Sequence, residues 1–345
     1  MTVKDIQTKM LSEISDTFDK SDGGFTYDVT KSVAVALNDQ RNVAATTLDK
    51  MDVDNLTDDE LERFAYQRAG IERKPATYAT TQILLTGSVA AAVNVGDLVA
   101  ADTVFYEILD DGVLDTNGQL YANVIAQEIG AAGNVPVGAI NSFPQTLSGI
   151  TSVINLAAVT NGYAAELDDD LRQRYYDKLQ RPGKAGNGYH YREWALSVVG
   201  VGKVKVFPLW DGPLTVKVVI IDSNMEVPSA DLLTSVENFI NAEGPFGAIV
   251  TIAPAEALVI DLSATLILSE GLSVDDVKSA IEAKITTYLK SLVFEADYVS
   301  VAQIGRELLS VEGVLDYTNL LLNNDTANIL IGTVQMPEIG TVILI

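Results

Sequence analysis

The chain of 345 residues has no cysteine, one histidine and two tryptophans. Without cysteine there is no disulfide framework, no thiolate nucleophile and no Cys-ligated zinc. With one histidine, His190, every Ser-His-Asp triad or imidazole-based metal site has to be built on that residue. Basic side chains are also scarce: 23 Lys and Arg stand against 47 Asp and Glu, a formal charge of -24. Such a surface repels nucleic-acid phosphates and anionic lipid alike, and no Arg/Lys cluster interleaved with aromatics offsets it, so nucleic acid is not an expected partner. Long apolar runs are missing too. The uncharged stretches 75–96 and 129–165 are broken by Gly, Pro, Asn, Thr and Ser, which favour turns and strands over a membrane helix. The opening residues carry charges throughout and no apolar segment, so no secretory signal is expected.

What is present is a folding composition, 48% hydrophobic and 20% charged, in a chain long enough for several modules. The pattern predicts an α+β, multi-domain protein: a helical N-terminal assembly region over 1–75, a β-rich domain over 76–160, an α+β module over 161–254 and a C-terminal α+β module over 255–345, the last two ferredoxin-like in style. In the first region Val3, Ile6, Met10, Ile14 and Phe18 form one apolar stripe, stopped at 21–24. Val29, Val33, Leu37, Ala44, Leu48 and Met51 form a second, long enough to need a partner surface. Thr57 to Glu60 reads as a capping box, and 69–71 closes the helix that it opens. Short β-branched runs at 80–86, 97–104, 120–128 and 151–156, separated by Gly-containing turns, predict antiparallel strands.

A helix over 166–179 starts acidic and ends basic, as its dipole favours. Strands near 204–207, 214–221 and 248–252 surround a helix near 230–241. After a linker at 253–255 come a strand at 258–268, helices at 274–292 and 301–309 capped by Ser273/Asp276 and Ser300/Gln303, and strands at 314–322 and 342–345.

Chemistry is harder to find. His190 has Ser197 seven residues on, but spacing supplies neither a positioned nucleophile nor an orienting acid. Asp52 and Asp54 begin like a calcium loop, yet Leu56, Thr57 and Arg63 stand at the positions that need an oxygen ligand, a glycine and a bidentate acid. Asp168, Asp169 and Asp170 point in different directions from a helix start. Gly130 to Asn134 and the glycines around Lys184 lack the spacing of a phosphate loop, and the latter reads as a mobile loop. Trp194, with Leu196 and Val198, reads as core. No catalytic, metal or cofactor residues are therefore expected.

The motifs themselves carry more. Gly70, Ile71, Arg73 and Ala76; Ala126, Gly130, Gly133 and Asn134; V-I-N at 153–155; Glu166, Asp168, Leu171, Arg172 and Arg174; Trp194, Ala195, Leu196, Gly200 and Val201; then V-E-G-V-L-D-Y at 311–317 and the closing P-E-I-G-T-V-I-L at 337–344 follow in an order that resembles the baseplate J family of contractile phage tails and tail-like particles. Two positions depart from it: Asn161 stands where a second glycine is common, and Leu214 ends a turn that is usually Gly-Pro-Gly. The resemblance implies a non-enzymatic baseplate wedge protein without cofactor. Its implied partners are a second copy as a dimer within the wedge, other wedge proteins, and hub and sheath neighbours. It also implies a sixfold ring, no nucleic acid or membrane partner, and a place in the virion or tail-like particle after assembly in the host bacterial cytoplasm. A carbohydrate-binding or adhesive surface protein is the alternative, for which the β domain offers Tyr78, Phe105, Tyr106, Tyr121 and Phe143.

Overall fold

The computed structural model describes residues 2–184 and 186–345; Ala185, within the loop expected to be mobile, lies outside them. Among the described residues eight α-helices and 15 strands make an α+β protein with helices first, a nearly closed barrel in the middle and mixed sheets at the end. The chain divides into two units, Met1–Arg73 with Leu167–Leu179, and Lys74–Glu166 with Gln180–Ile345.

The first unit holds α1 (Val3–Glu13), α2 (Phe25–Asp49), α3 (Asp58–Ala69) and α4 (Asp168–Gln180). Thr2 and Asp5 cap α1 reciprocally, at 2.6 and 3.3 Å. The helix ends before the predicted stripe does: Ser15 turns its hydroxyl and carbonyl to the N–H groups of Thr17 and Phe18, the local competition by which such residues break helices, and Phe18 is left exposed. Ile6 and Gln7 are buried against α2, with Gln7 Nε2 donating to Tyr27 O at 3.0 Å. Gly70 closes α3 in the left-handed conformation at φ +64°. The helix on 166–179 finds its core here, where Leu171 and Tyr175 join Leu61, Ala65, Val53, Leu56 and Ile71. The predicted capping box at Thr57 does not form, since no hydrogen bond caps α3 from that side chain. Asp58 sits at φ +48° and gives its N–H to Asp168 Oδ2 at 2.9 Å instead.

In the second unit β1 (Tyr78–Gly87), β2 (Ala92–Val93), β3 (Leu98–Ala101), β4 (Val104–Ile108), β5 (Gly112–Val113), β6 (Gln119–Ile129) and β7 (Ile150–Asn155) build the barrel. Its main sheet runs β3-β4-β6-β1-β7 with antiparallel neighbours. The predicted strand at 97–104 is a hairpin in the structure, because Asp102 takes φ +53° and reverses the chain. Alternate residues point inward: Ile83, Leu85, Val99, Tyr106, Ile108 and Val124 are fully buried, each contributing about 1.5–3 kcal/mol. The gap between β3 and β7 is bridged by the segment around Ile140. Asn141 and Ser142 donate to Ala100 O on one side; on the other, Asn155 accepts from Ile140 N–H at 2.9 Å and donates to Pro136 O and Ala157 O at 2.8 and 2.7 Å. Asn155 is wholly buried and its amide is fully used.

A central module follows: α5 (Gly188–Ser197), β8 (Val201–Pro208), β9 (Thr215–Asp222), α6 (Ala230–Glu243) and β10 (Ile249–Pro254), with sheet order β10-β9-β8. Ser229 caps α6, and Leu232, Val236 and Ile240, spaced by four, join Trp194, Val204, Val218 and Ile220 on one face of the sheet. The opposite face gives Val219 and Ile221 to a small core with Val293 and Met336. The latter two belong to the C-terminal module of β11 (Glu256–Leu268), α7 (Val274–Leu292), β12 (Tyr298–Val299), α8 (Val301–Leu309), β13 (Val314–Leu322), β14 (Ile329–Leu330) and β15 (Gln335–Leu344). Its main sheet is β13-β11-β15. Each three-stranded sheet is mixed, β9 with β10 and β11 with β15 being parallel neighbours. The last strand is longer than its predicted 342–345, since Pro337 and Gly340 break the pattern but are tolerated on an edge strand.

Candidate functional site

The residues considered for chemistry are engaged in local structure. His190 stacks on Trp194 with ring centres 3.8 Å apart, and its Nδ1 accepts the Gly186 N–H. Ser197 Oγ donates to Trp194 O at 2.7 Å, so this hydroxyl closes its own helix turn. Trp194 is buried and meets Tyr191 edge-on at 5.2 Å. Lys184 gives its backbone N–H to the Asn187 side chain. Asp52 accepts from Asp54 N–H, while Asp54 accepts from Tyr176 OH. Asp169 pairs with Arg172 at 2.6 Å. Among the described residues no group of three or more His, Asp or Glu is placed to hold a metal ion.

Asp168 is the busiest of these acids. One oxygen accepts from Asp58 N–H, the other from Arg73 Nη2 at 2.5 Å, and these two bonds hold its carboxyl below the ordinary value of 3.8. Arg172 donates to Val53 O and Leu56 O, and Arg174 to Glu72 O. The acidic-to-basic motif of α4 is thus a set of hydrogen bonds that ties four segments of the helical unit together.

The remaining motifs meet where the barrel leads into the central module. Asn134 and Gly162 bond reciprocally, Nδ2 to O and N–H to Oδ1, each at 2.9 Å. A Cβ on Gly162 would lie 2.5 Å from Gly130 O, and one on Gly133 would lie 2.6 Å from Ala126 Cβ, which is why glycine recurs here. Tyr106, at the barrel end, donates to Gly133 O at 2.6 Å, and burial pushes its hydroxyl up to about 12. Asn161 bonds Thr80 twice, through Oδ1 and Nδ2. The ring of Tyr163 lies against Gly200, leaving no room for a Cβ at that residue. Glu166 and Lys74 hold each other's backbone N–H, and Lys74 Nζ reaches Val201 O at 2.8 Å.

One loop, 222–226, draws in all three parts of the second unit. Asn224 donates to Gly162 O at 3.1 Å, and Lys290 of α7 donates to Asn224 O at 2.6 Å and pairs with Glu226 at 3.6 Å. Asp222 begins the loop, 1% exposed, and accepts Glu226 N–H at 2.7 Å. Burial, with the Glu226 charge adding to it, pushes this carboxyl up to about 7 against its backbone hydrogen bonds. Burial and the nearby Asp222 and Glu226 raise the Tyr163 hydroxyl to about 12. The one mark this loop leaves in the sequence is an acid, Asp222, closing the apolar run 218–221 of β9.

Among the described residues, apolar side chains are exposed on α2 and in the central module. The stripe of α2 faces solvent, with Phe25, Val29, Val33, Leu37, Val43 and Leu48 exposed and only Thr30 and Ala34 buried. Near its end Leu48, Met51, Phe64, Tyr175 and Leu179 line an open cleft of about 430 Å³. In the central module Leu209, Trp210, Leu214, Phe246 and Ile249 are exposed. Leu209 and Leu214 stand at φ +57° and +67°, and Lys217 lies over the Trp210 ring. Of the barrel aromatics, Tyr78, Phe105 and Tyr121 are exposed while Tyr106 is buried.

Three family descriptions match the chain in succession: the Baseplate J-like protein barrel domain at 82–162, the Baseplate J-like central domain at 183–254 and the Baseplate J-like protein C-terminal domain at 260–345. All of the chain is 31% identical to the phage-like element PBSX protein XkdT of Bacillus subtilis (strain 168), over 97% of that protein. It is 32% identical, over the same shares, to the uncharacterized protein YqbT of that organism. The baseplate protein gp47 of Escherichia phage Mu is 31% identical over 45% of this chain and 44% of its own length. With the ordered motifs at the junctions of these domains and relatives matching end to end, the chain belongs to the Baseplate J-like family of phage-type baseplate structural proteins.

Proposed function

We propose that this chain is a non-enzymatic wedge component of a contractile-tail baseplate. Within a wedge it pairs with a second copy and with other wedge proteins, and wedges repeat sixfold around the hub beneath the sheath. Assembly takes place in the host bacterial cytoplasm. The observation that carries the reading is α2: a helix of 25 residues, about 37 Å long at 1.5 Å per residue, whose apolar stripe is solvent-exposed. A continuous stripe of this kind marks a protein contact.

Replacing Val33 and Leu37 by glutamate in the full chain tests it. Truncation at residue 76 would be a poorer test, because Leu171 and Tyr175 would lose the core they share with Leu61 and Ala65. Light scattering is expected to show a dimer for the parent chain and a monomer for V33E/L37E, with unchanged helical circular dichroism. The same mass for both, with wedge partners still binding, refutes the role of α2.

A further inference from the structure

We propose that the loop 222–226 is a proton-gated joint: a proton on Asp222 keeps barrel, central module and C-terminal module locked together, and its loss loosens the seam between them.

Beside the apolar core that the central and C-terminal modules share, the five residues of this loop carry polar ties to both neighbouring modules. Asn224 alone spans two of them, giving its side-chain amide to Gly162 O of the barrel exit and receiving Lys290 Nζ on its carbonyl. Ser223 N–H donates to Gly200 O at 2.8 Å, beside the Tyr163 ring. Asp222 itself is folded beneath the loop, its backbone N–H on Glu226 O and its carboxyl on Glu226 N–H.

The charged and titratable groups around it come from each packed element. Glu226 lies on the same loop, Lys290 comes from α7 and Tyr163 from the segment leaving the barrel. Val201, which pairs with Asp222 across β8 and β9, holds Lys74 Nζ on its carbonyl. With Asp222 neutral, Lys290 serves Glu226 and Asn224 O. Once Asp222 ionises, two carboxylates share that one ammonium, and a desolvated anion has to be hydrated. Water reaches it by parting the contacts of Asn224 and Lys290, which tie the loop to the barrel exit and to α7, while the apolar core of Val219, Ile221, Val293 and Met336 stays closed. The carboxyl's own tendency to hold its proton to about pH 7 places the transition near neutrality.

Hydrogen exchange on the full chain, followed by mass spectrometry from pH 5.5 to 8.5 and corrected for intrinsic rates, tests the joint. The Ser223 amide and residues 288–292 are expected to exchange at least fivefold faster above pH 7.5 than below pH 6. Asp222→Asn should abolish that pH dependence. Glu226→Gln removes the competing charge and should move the midpoint to lower pH, so it tests the idea even where the first variant fails to fold. A flat profile in the parent chain, or an unmoved midpoint in Glu226→Gln, overturns the proposal.

Discussion

Asp168 caps a helix that begins 110 residues before it: its Oδ2 accepts the backbone N–H of Asp58 at 2.9 Å while Oδ1 takes Arg73. The carboxylate therefore replaces the side-chain cap that Thr57 does not provide, and it fastens α4 to the start of α3. Asp168→Ala is expected to destabilise the helical unit by about 1–2 kcal/mol, the usual worth of a lost N-cap. Its carboxyl is held low in the folded chain, so the contribution is fully present above the unfolded value near 3.8 and is lost as pH falls through the lower folded one. Hydrogen exchange of α3 amides at pH 7 and pH 3 in parent and variant checks both statements. Equal protection at pH 7 would contradict them.

Asn155 makes a sharper demand, because three backbone groups bond to its amide. Asn155→Ala leaves the buried Ile140 N–H without its partner, at about 1–3 kcal/mol, whereas Pro136 O keeps the Ala139 N–H and Ala157 O belongs to an exposed residue. The barrel should lose about 1–3 kcal/mol, most of it from the buried Ile140 N–H. Both tryptophans lie in the central module, so their fluorescence does not follow the barrel. Exchange protection of β1 and β7 does, and it should fall selectively while α7 keeps its own.

The difference between these two residues shows what was legible. Asn155 stands in a motif readable in the chain, yet its partners at 136, 140 and 157 are set by barrel closure, which no periodicity encodes. Helices α7 and α8 were readable to the residue because stripe and cap agree over 274–292 and 301–309. The stripe of α2 was equally clear, but periodicity names an apolar face and is silent on what covers it. The turn at Asp102 lacked the glycine or asparagine that marks a tight hairpin, and so a hairpin read as one strand. Asp222 was hidden by the strength of its own strand: four apolar residues precede it, and only the fold brings Glu226, Lys290 and Tyr163 around the carboxyl.

That carboxyl also predicts a pH profile of stability. Its folded value, about 7, lies above the ordinary 3.8, so the folded chain holds a proton that the unfolded chain has released. Its contribution is fully present below pH 4 and is lost as pH rises to 7, by at most about 4 kcal/mol at 1.36 kcal/mol for each pH unit. Urea unfolding read by tryptophan fluorescence, which reports on the central module, should show the midpoint falling across this range. In Asp222→Asn the fall should be smaller, and above pH 7.5 the variant should be the more stable chain. A variant that follows the parent at every pH would contradict this account.

Leu214 offers a test that runs against intuition, since removing a large side chain should stabilise. The residue is 66% exposed and holds φ +67°, a conformation that costs a non-glycine residue about 1–2 kcal/mol. Leu214→Gly relieves that strain, offset in part by the freer unfolded chain that glycine brings. The central module should gain about 0.5–1 kcal/mol by urea unfolding followed through tryptophan fluorescence. With the residue 66% exposed, little packing is at stake, so a net destabilisation would mean that Leu214 holds the turn through contacts with Leu209 or Ile249. The double variant Leu209→Gly/Leu214→Gly separates the cases: two independent strains add, whereas leucines that support each other do not.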